Sequence, residues 1–318
     1  MSHSELDTPA ISAAADRIRE HIVRTPMLWV EERGLSLKCE NRQHTGSFKL
    51  RGALNKILSR EAEELSRGVV ASSAGNHGLG VAFAAKLRGV QATIVVPRDA
   101  VRKKVEGILA FGASVQYADG GYARAEKVGR ELAEQTQALW VSPYNDPEVI
   151  AGQGTVGLEI LEALADRPSN VEWEVIVPVS GGGLIAGIGL AMRNAPSRVR
   201  IVGAQPEASP WMHAYFYGHP LEQVHEYTTL ADGLAGAVEA GAITFGLVRQ
   251  VVHEMVLVSE QAIWEAMGWC VAEVGEVIEP SAAVALAAAL ARPRAPRVVV
   301  LSGGNADAGL LERVRSGR

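Results

Sequence analysis

Lys49 stands in the run Thr45-Gly46-Ser47-Phe48-Lys49-Leu50-Arg51-Gly52-Ala53, between a small-residue turn and a helix-like segment, with an aromatic directly before it. A lysine held that way can do amine chemistry. Desolvation lowers its affinity for a proton, and the neutral amine can form a Schiff base with an aldehyde. The competing reading is a solvated surface lysine. Lysine usage narrows the choice: the chain has Lys38, Lys49, Lys56, Lys86, Lys103, Lys104 and Lys127, and none follows position 127.

A second candidate is Val177-Pro178-Val179-Ser180-Gly181-Gly182-Gly183-Leu184, which follows a strand-like run and opens a helix-like one. Three successive glycines let backbone N–H groups converge, and a helix N-terminus adds partial positive charge. That combination suits a phosphate. It is not a Walker A loop, because no lysine is near. Gly181, Gly183 and Ala186 also fit a dinucleotide turn, but the next strand ends on Gln205 rather than on Asp or Glu, with Glu207 two residues on. Close helix–strand packing is the third reading.

Two further turns end on polar residues. Ser72-Ser73-Ala74-Gly75-Asn76-His77 can bind a carboxylate through N–H groups and the Ser73 and Asn76 side chains, or simply cap a helix. Ser302-Gly303-Gly304-Asn305 offers a hydroxyl at a strand end. A lysine for an aldehyde, a phosphate cradle and separate polar turns together suggest pyridoxal 5′-phosphate (PLP).

The elements that must position these residues alternate. Helical patterns run over 11–23, 50–64, 77–88, 102–111, 123–136, 149–165, 184–194, 260–274 and 281–291. Strand patterns run over 36–39, 68–72, 92–97, 114–117, 174–178, 200–204 and 297–301. Continuous apolar strands between helices imply an α/β fold with parallel-type sheets flanked by helices, which keeps ligands at its strand ends. Residues 292–296 read as a tight connection.

Composition excludes other classes. At 318 residues there is room for two domains. A net charge of −5 argues against a nucleic-acid binder. The first five residues have neither a basic nor an apolar signal region, and the most apolar run, 282–291, is far short of the roughly 20 residues that span a membrane. Two cysteines, Cys39 and Cys270, form no CxxC pair and suit a reducing cytoplasm.

The sequence resembles the fold-type II PLP enzymes, in the threonine/serine dehydratase and serine racemase branch. The resemblance runs from Arg24-Thr25-Pro26 to Ser302-Gly303-Gly304-Asn305. It is carried by the Lys49 segment, the residues 71–77 loop, Pro147-Glu148-Val149-Ile150-Ala151-Gly152-Gln153-Gly154-Thr155 and Ala231-Asp232-Gly233-Leu234. It implies a two-domain, tryptophan-synthase-β-like architecture, with residues 1–64 and 147–318 as the large PLP-binding domain and 65–146 as a small substrate-closing domain.

The resemblance also implies roles. Lys49 would hold PLP and act as catalytic base, with Phe48 packed near the ring and Asn76 on its 3′ oxygen. Ser180, Gly181, Gly182, Gly183 and Leu184 would cradle the phosphate, and Ser302 would face the pyridine nitrogen. Ser73, Ala74, Gly75, Asn76 and His77 would surround the substrate carboxylate, with Glu279 and Gly233 near cofactor and substrate. The expected activity is β-elimination from a 3-hydroxy amino acid, giving a 2-oxo acid and ammonia, in a homodimer.

Departures from the family refine this. Racemases of the branch place serine where this chain has Ala74, so dehydration is favoured over racemisation, with Ser73 one residue away. Relatives with a divalent cation use an acid where Gln205 stands and another near Trp211, so no metal site is expected here, although Glu207 offers a shifted one. The segment from Trp211 to His219 gathers four of the seventeen aromatics and reads as a packing or subunit-contact helix, or as the lining of a pocket for a bulkier substrate such as phenylserine. His44 replaces a usual proline, and Glu276 stands where relatives often carry lysine. The chain ends thirteen residues after Asn305, so the isoleucine-regulated domain of biosynthetic threonine dehydratases is not expected. The rival hypotheses are an amino-acid racemase, a nucleotide-binding oxidoreductase and a non-catalytic binding protein.

Overall fold

The β-branched runs become strands of two separate sheets in the computed structural model, which describes residues 6–168, 171–195, 198–293 and 296–316. The N-terminal residues read for a signal, and positions 294 and 295 of the connection before the last strand, lie outside them. Among the described residues the strands are β1 (Met27–Val30), β2 (Leu35–Cys39), β3 (Val69–Ser72), β4 (Ala92–Pro97), β5 (Ser114–Ala118), β6 (Leu139–Trp140), β7 (Trp173–Pro178), β8 (Val199–Pro206), β9 (Glu254–Val258) and β10 (Arg297–Leu301).

The chain divides into two compact units: Met1–Val23 with Lys49–Gln153, and Arg24–Phe48 with Gly154–Arg318. The dividing points expected at 64/65 and 146/147 both fall inside the first unit. The physical reason is burial. Helix Lys49–Leu58 packs on helices Thr8–Ile18 and Asn76–Arg88, and Ile18, Leu50, Leu54, Val81 and Ala85 share one apolar cluster with β3 and β4.

The first unit carries a parallel sheet in the order β5-β4-β3-β6. The second carries β1-β2-β10-β7-β8-β9, parallel except for the antiparallel β1–β2 edge pair. Val298–Leu301 and Val175–Val177 are wholly buried, as expected of central strands covered on both faces. The Ala-rich run forms helix Pro280–Leu290, whose residues 280–289 are all buried in the core of this unit. No helix among the described residues is long and apolar enough to cross a membrane.

Three helices end well short of their patterns; the one expected over 11–23 is α-helical from Thr8 to Ile18 and closes in a 3-10 turn over Arg19–His21. The helix expected to reach 64 stops at Leu58, where Ser59 Oγ donates to the Lys56 carbonyl at 3.0 Å and Glu64 accepts the Glu61 N–H, starting a new turn. The helix expected over 260–274 is α-helical to Trp269 and then widens into a π turn over Cys270–Val274, closed by Gly275. Strands β1, β6 and β9, and helices Ile243–Val251 and Ala308–Ser316, had no clear sequence signal.

Candidate active site

Three inward lysines separate by their partners. In the second unit Lys38 pairs with Glu159 and donates to the Thr25 carbonyl at 2.7 Å. In the first, Lys56 lies between Asp146 (2.6 Å) and Glu148 (3.2 Å), and Arg60 takes the other Glu148 oxygen. Both are buried, structural ion pairs. Lys49, the first residue of its helix and half-buried, instead donates to the neutral Pro143 carbonyl at 2.9 Å.

The candidate carboxylate loop follows β3 in the same unit. Ser73 N–H donates to the Val95 carbonyl, and Ser73 Oγ accepts the Gly75 N–H at 3.1 Å. Gly75 faces open space, and helix Asn76–Arg88 starts directly after it. A helix N-terminus thus opens at this turn, an arrangement suited to a carboxylate. Ala74 and Asn76 are half-buried on the turn.

His77 is 3% exposed. Its Nε2 lies 2.8 Å from the Val141 carbonyl, which can only accept, so Nε2 carries the proton. Nδ1 is buried without a partner among the described residues. Burial, then the positive charge of Lys49, push the imidazole pKa down to about 3, so His77 is neutral. Lys49 and His77 thus both donate to one segment, 141–143, and Gln153 Nε2 also reaches the Pro143 carbonyl at 3.2 Å.

The other expected residues belong to the second unit. Ser180 is half-buried, and Gly181, Gly182, Gly183 and Leu184 are buried where β7 turns into helix Gly183–Met192. Gly182 has φ +84°, and a Cβ there would lie 2.9 Å from Met212 Cε, so the tight turn requires glycine. The first-turn N–H groups of that helix have no acceptor within it and can receive an anion. Ser302, buried at the end of β10, accepts the Phe48 N–H at 3.1 Å through its carbonyl, and Ser47 bridges Gly303 antiparallel. Glu279 N–H donates to the Gly303 carbonyl, which sets Glu279 beside the same strand end. Gly233 sits against Ser281, whose Oγ would be 2.8 Å from a Cβ at that position.

The departures from the family also have places. Gln205 is buried and its amide oxygen accepts the His213 N–H at 2.9 Å, which anchors helix Trp211–Tyr217. In that helix Tyr215 packs on Phe245 with centroids 4.1 Å apart and Tyr217 Oη donates to the Met255 carbonyl, so these rings serve packing. Glu276 pairs with Arg42 and Asn41, whose nitrogens hold its carboxyl below the usual range against its burial. Sequence reading missed the carbonyls of 141–143 and the Gln153 amide. Only Gln153 carried a signal, as part of the family-like residues 147–155.

Comparison with known proteins accords with this chemistry. Residues 18–303 match the family model described as pyridoxal-phosphate dependent enzyme. An L-threonine ammonia-lyase of Thermotoga maritima is 44% identical over 87% of this chain and 69% of its own length. A serine racemase of Arabidopsis thaliana is 36% identical over 96% of this chain and 95% of its own. The structure of maize serine racemase aligns with TM-score 0.88 at 36% identity, covering 98% of this chain and 97% of that one. The α/β architecture is thus that of the fold-type II PLP enzymes, and the chain belongs to the pyridoxal-phosphate-dependent enzyme family.

Proposed function

We propose that the protein is an ammonia-lyase that converts a 3-hydroxy amino acid, such as L-threonine or L-serine, or a bulkier one such as phenylserine, to a 2-oxo acid and ammonia. The likeness to the T. maritima L-threonine ammonia-lyase supports the reaction class. The observation that carries the choice within it is at residues 73–75. Ala74, which stands where racemases of the branch carry serine, can move no proton, and Ser73 Oγ is turned to the Gly75 N–H. Lys49 then acts alone at the α-carbon, which suits elimination rather than inversion.

The residues present fit PLP. A glycine turn at a helix N-terminus, where Gly182 is held at φ +84° and tolerates no Cβ, suits its phosphate, and a half-buried Lys49 at a helix start suits its aldehyde. When bound, PLP supplies a carbonyl for the substrate amine and an electron sink for the α-carbon.

In this reading the N–H groups of Ser180, Gly181, Gly182, Gly183 and Leu184 hold the phosphate, and Ser302 meets the ring nitrogen. A neutral serine there makes the sink weaker than a carboxylate would, which favours prompt loss of the β-substituent. Asn76 holds the ring oxygen, Phe48 packs near the ring, and Glu279 and Gly233 border cofactor and substrate. Ser73, Ala74, Gly75, Asn76 and His77 orient the substrate carboxylate. Lys49 takes the α-proton as general base, and the β-hydroxyl departs as water.

The reading includes a homodimer in the cytoplasm; two free, buried thiols suit a reducing compartment. The test is 2-oxo acid formation from serine, threonine, 3-hydroxyaspartate and phenylserine, with optical rotation followed in parallel. Loss of rotation without 2-oxo acid would assign the protein to the racemases, the activity named for its Arabidopsis relative.

A further inference from the structure

Helix Ile243–Val251 lies beside helix Gly183–Met192 in the second unit. The direction follows from two contacts. Gly182 sits against Thr244 and Val248, and Gly189 sits against Val251. Positions near the start of one helix meet the start of the other, and later positions meet later ones, so the helices run parallel. Their N-termini share one end, the end that carries the glycine turn. Two parallel helix dipoles reinforce each other there and favour an anion.

Thr244 is in the first turn of the second helix and is 0% exposed. Its Cβ would be 3.2 Å from a Cβ on Gly182. Its Oγ1 has no hydrogen-bond partner among the described residues, and Ala242, the residue at the N-cap, makes no side-chain cap. A buried hydroxyl without a partner is costly and rare, so a group that brings an acceptor to this turn has a donor waiting.

We propose that Thr244 is a further phosphate-binding residue, whose hydroxyl joins the N–H groups of residues 181–184 on the cofactor phosphate. It rests on the reading of the glycine turn as the phosphate cradle. A hydroxyl on a charged acceptor is worth roughly tenfold or more in affinity.

The test titrates the full chain, freed of cofactor, with PLP and with pyridoxal, which lacks the phosphate, and follows visible absorbance. Thr244→Val should weaken PLP about tenfold and leave pyridoxal unchanged, and Thr244→Ser should restore PLP. Circular dichroism accompanies each variant, and Thr244→Ala carries the same test if the valine variant does not fold. Unchanged PLP affinity, or equal weakening of both ligands, overturns the role of Thr244 alone. A wild-type protein that binds PLP no better than pyridoxal overturns the phosphate cradle as well.

Discussion

Gly46 and Asn305 are locked face to face. A Cβ on Gly46 would lie 2.5 Å from Asn305 Oδ1, while Asn305 Nδ2 donates to the Thr45 carbonyl at 2.8 Å and the Gly304 N–H donates to the Gly46 carbonyl at 2.9 Å. The residues before Lys49 and the turn after β10, more than 250 positions apart, are thereby zipped together in one unit.

Gly46→Ala should therefore destabilise the fold. Its φ of +74° costs an L side chain about 1–2 kcal/mol, before the clash is counted. Urea denaturation should show a loss of about 2 kcal/mol or more. The double variant with Asn305→Ala should lose less than the sum of the two single changes, because the clash disappears.

The lysines should separate by function. Lys49→Ala should abolish the visible absorbance of bound PLP and cut 2-oxo acid formation by about 10²-fold or more, and Lys49→Arg should not rescue it, because a guanidinium stays protonated. Lys56→Met takes the ammonium from buried Asp146 while Glu148 keeps Arg60, so it should cost about 3 kcal/mol of stability yet leave the absorbance in place. Retained turnover in Lys49→Ala would remove the assignment.

Stability should depend on pH through His77. Its folded pKa of about 3 lies below the unfolded value near 6.5, so between these limits the unfolded chain binds a proton that the folded chain refuses. The stabilisation is complete above about pH 6.5 and is lost as pH falls toward 3. His213, whose pKa is lowered by burial and by His219, acts in the same direction. Thermal melts between pH 7 and 5 should show a falling Tm. His77→Gln, which keeps a donor for the Val141 carbonyl, should flatten that fall.

Ala74→Ser should add a proton carrier to the turn before Gly75. Racemisation relative to 2-oxo acid formation should rise, as read by chiral chromatography of residual serine. An unchanged ratio would mean that position 74 does not set the reaction.

Much of the fold was legible because its signals are local. The β-branched runs over 92–97 and 297–301 match β4 and β10 residue for residue, since buried parallel strands need continuous apolar sequence. Strands β1, β6 and β9 were not legible. Met27–Val30 and Leu139–Trp140 are short and half-buried, and Glu254–Val258 begins on a charge at a sheet edge, so each is a strand only because a neighbour supplies its hydrogen bonds.

The sequence by itself determined the chemistry available: the Lys49 segment, the three glycines after β7 and an alanine at 74 are choices of residue type, readable without coordinates. Only the tertiary structure decided how the groups are held. It set Lys49 on the Pro143 carbonyl while Lys38 and Lys56 received carboxylates, turned Ser73 Oγ to the Gly75 N–H, and left Thr244 Oγ1 buried beside the glycine turn. Hydrogen-bond partners and burial depend on segments far apart in the chain, and no local pattern encodes which of them meet.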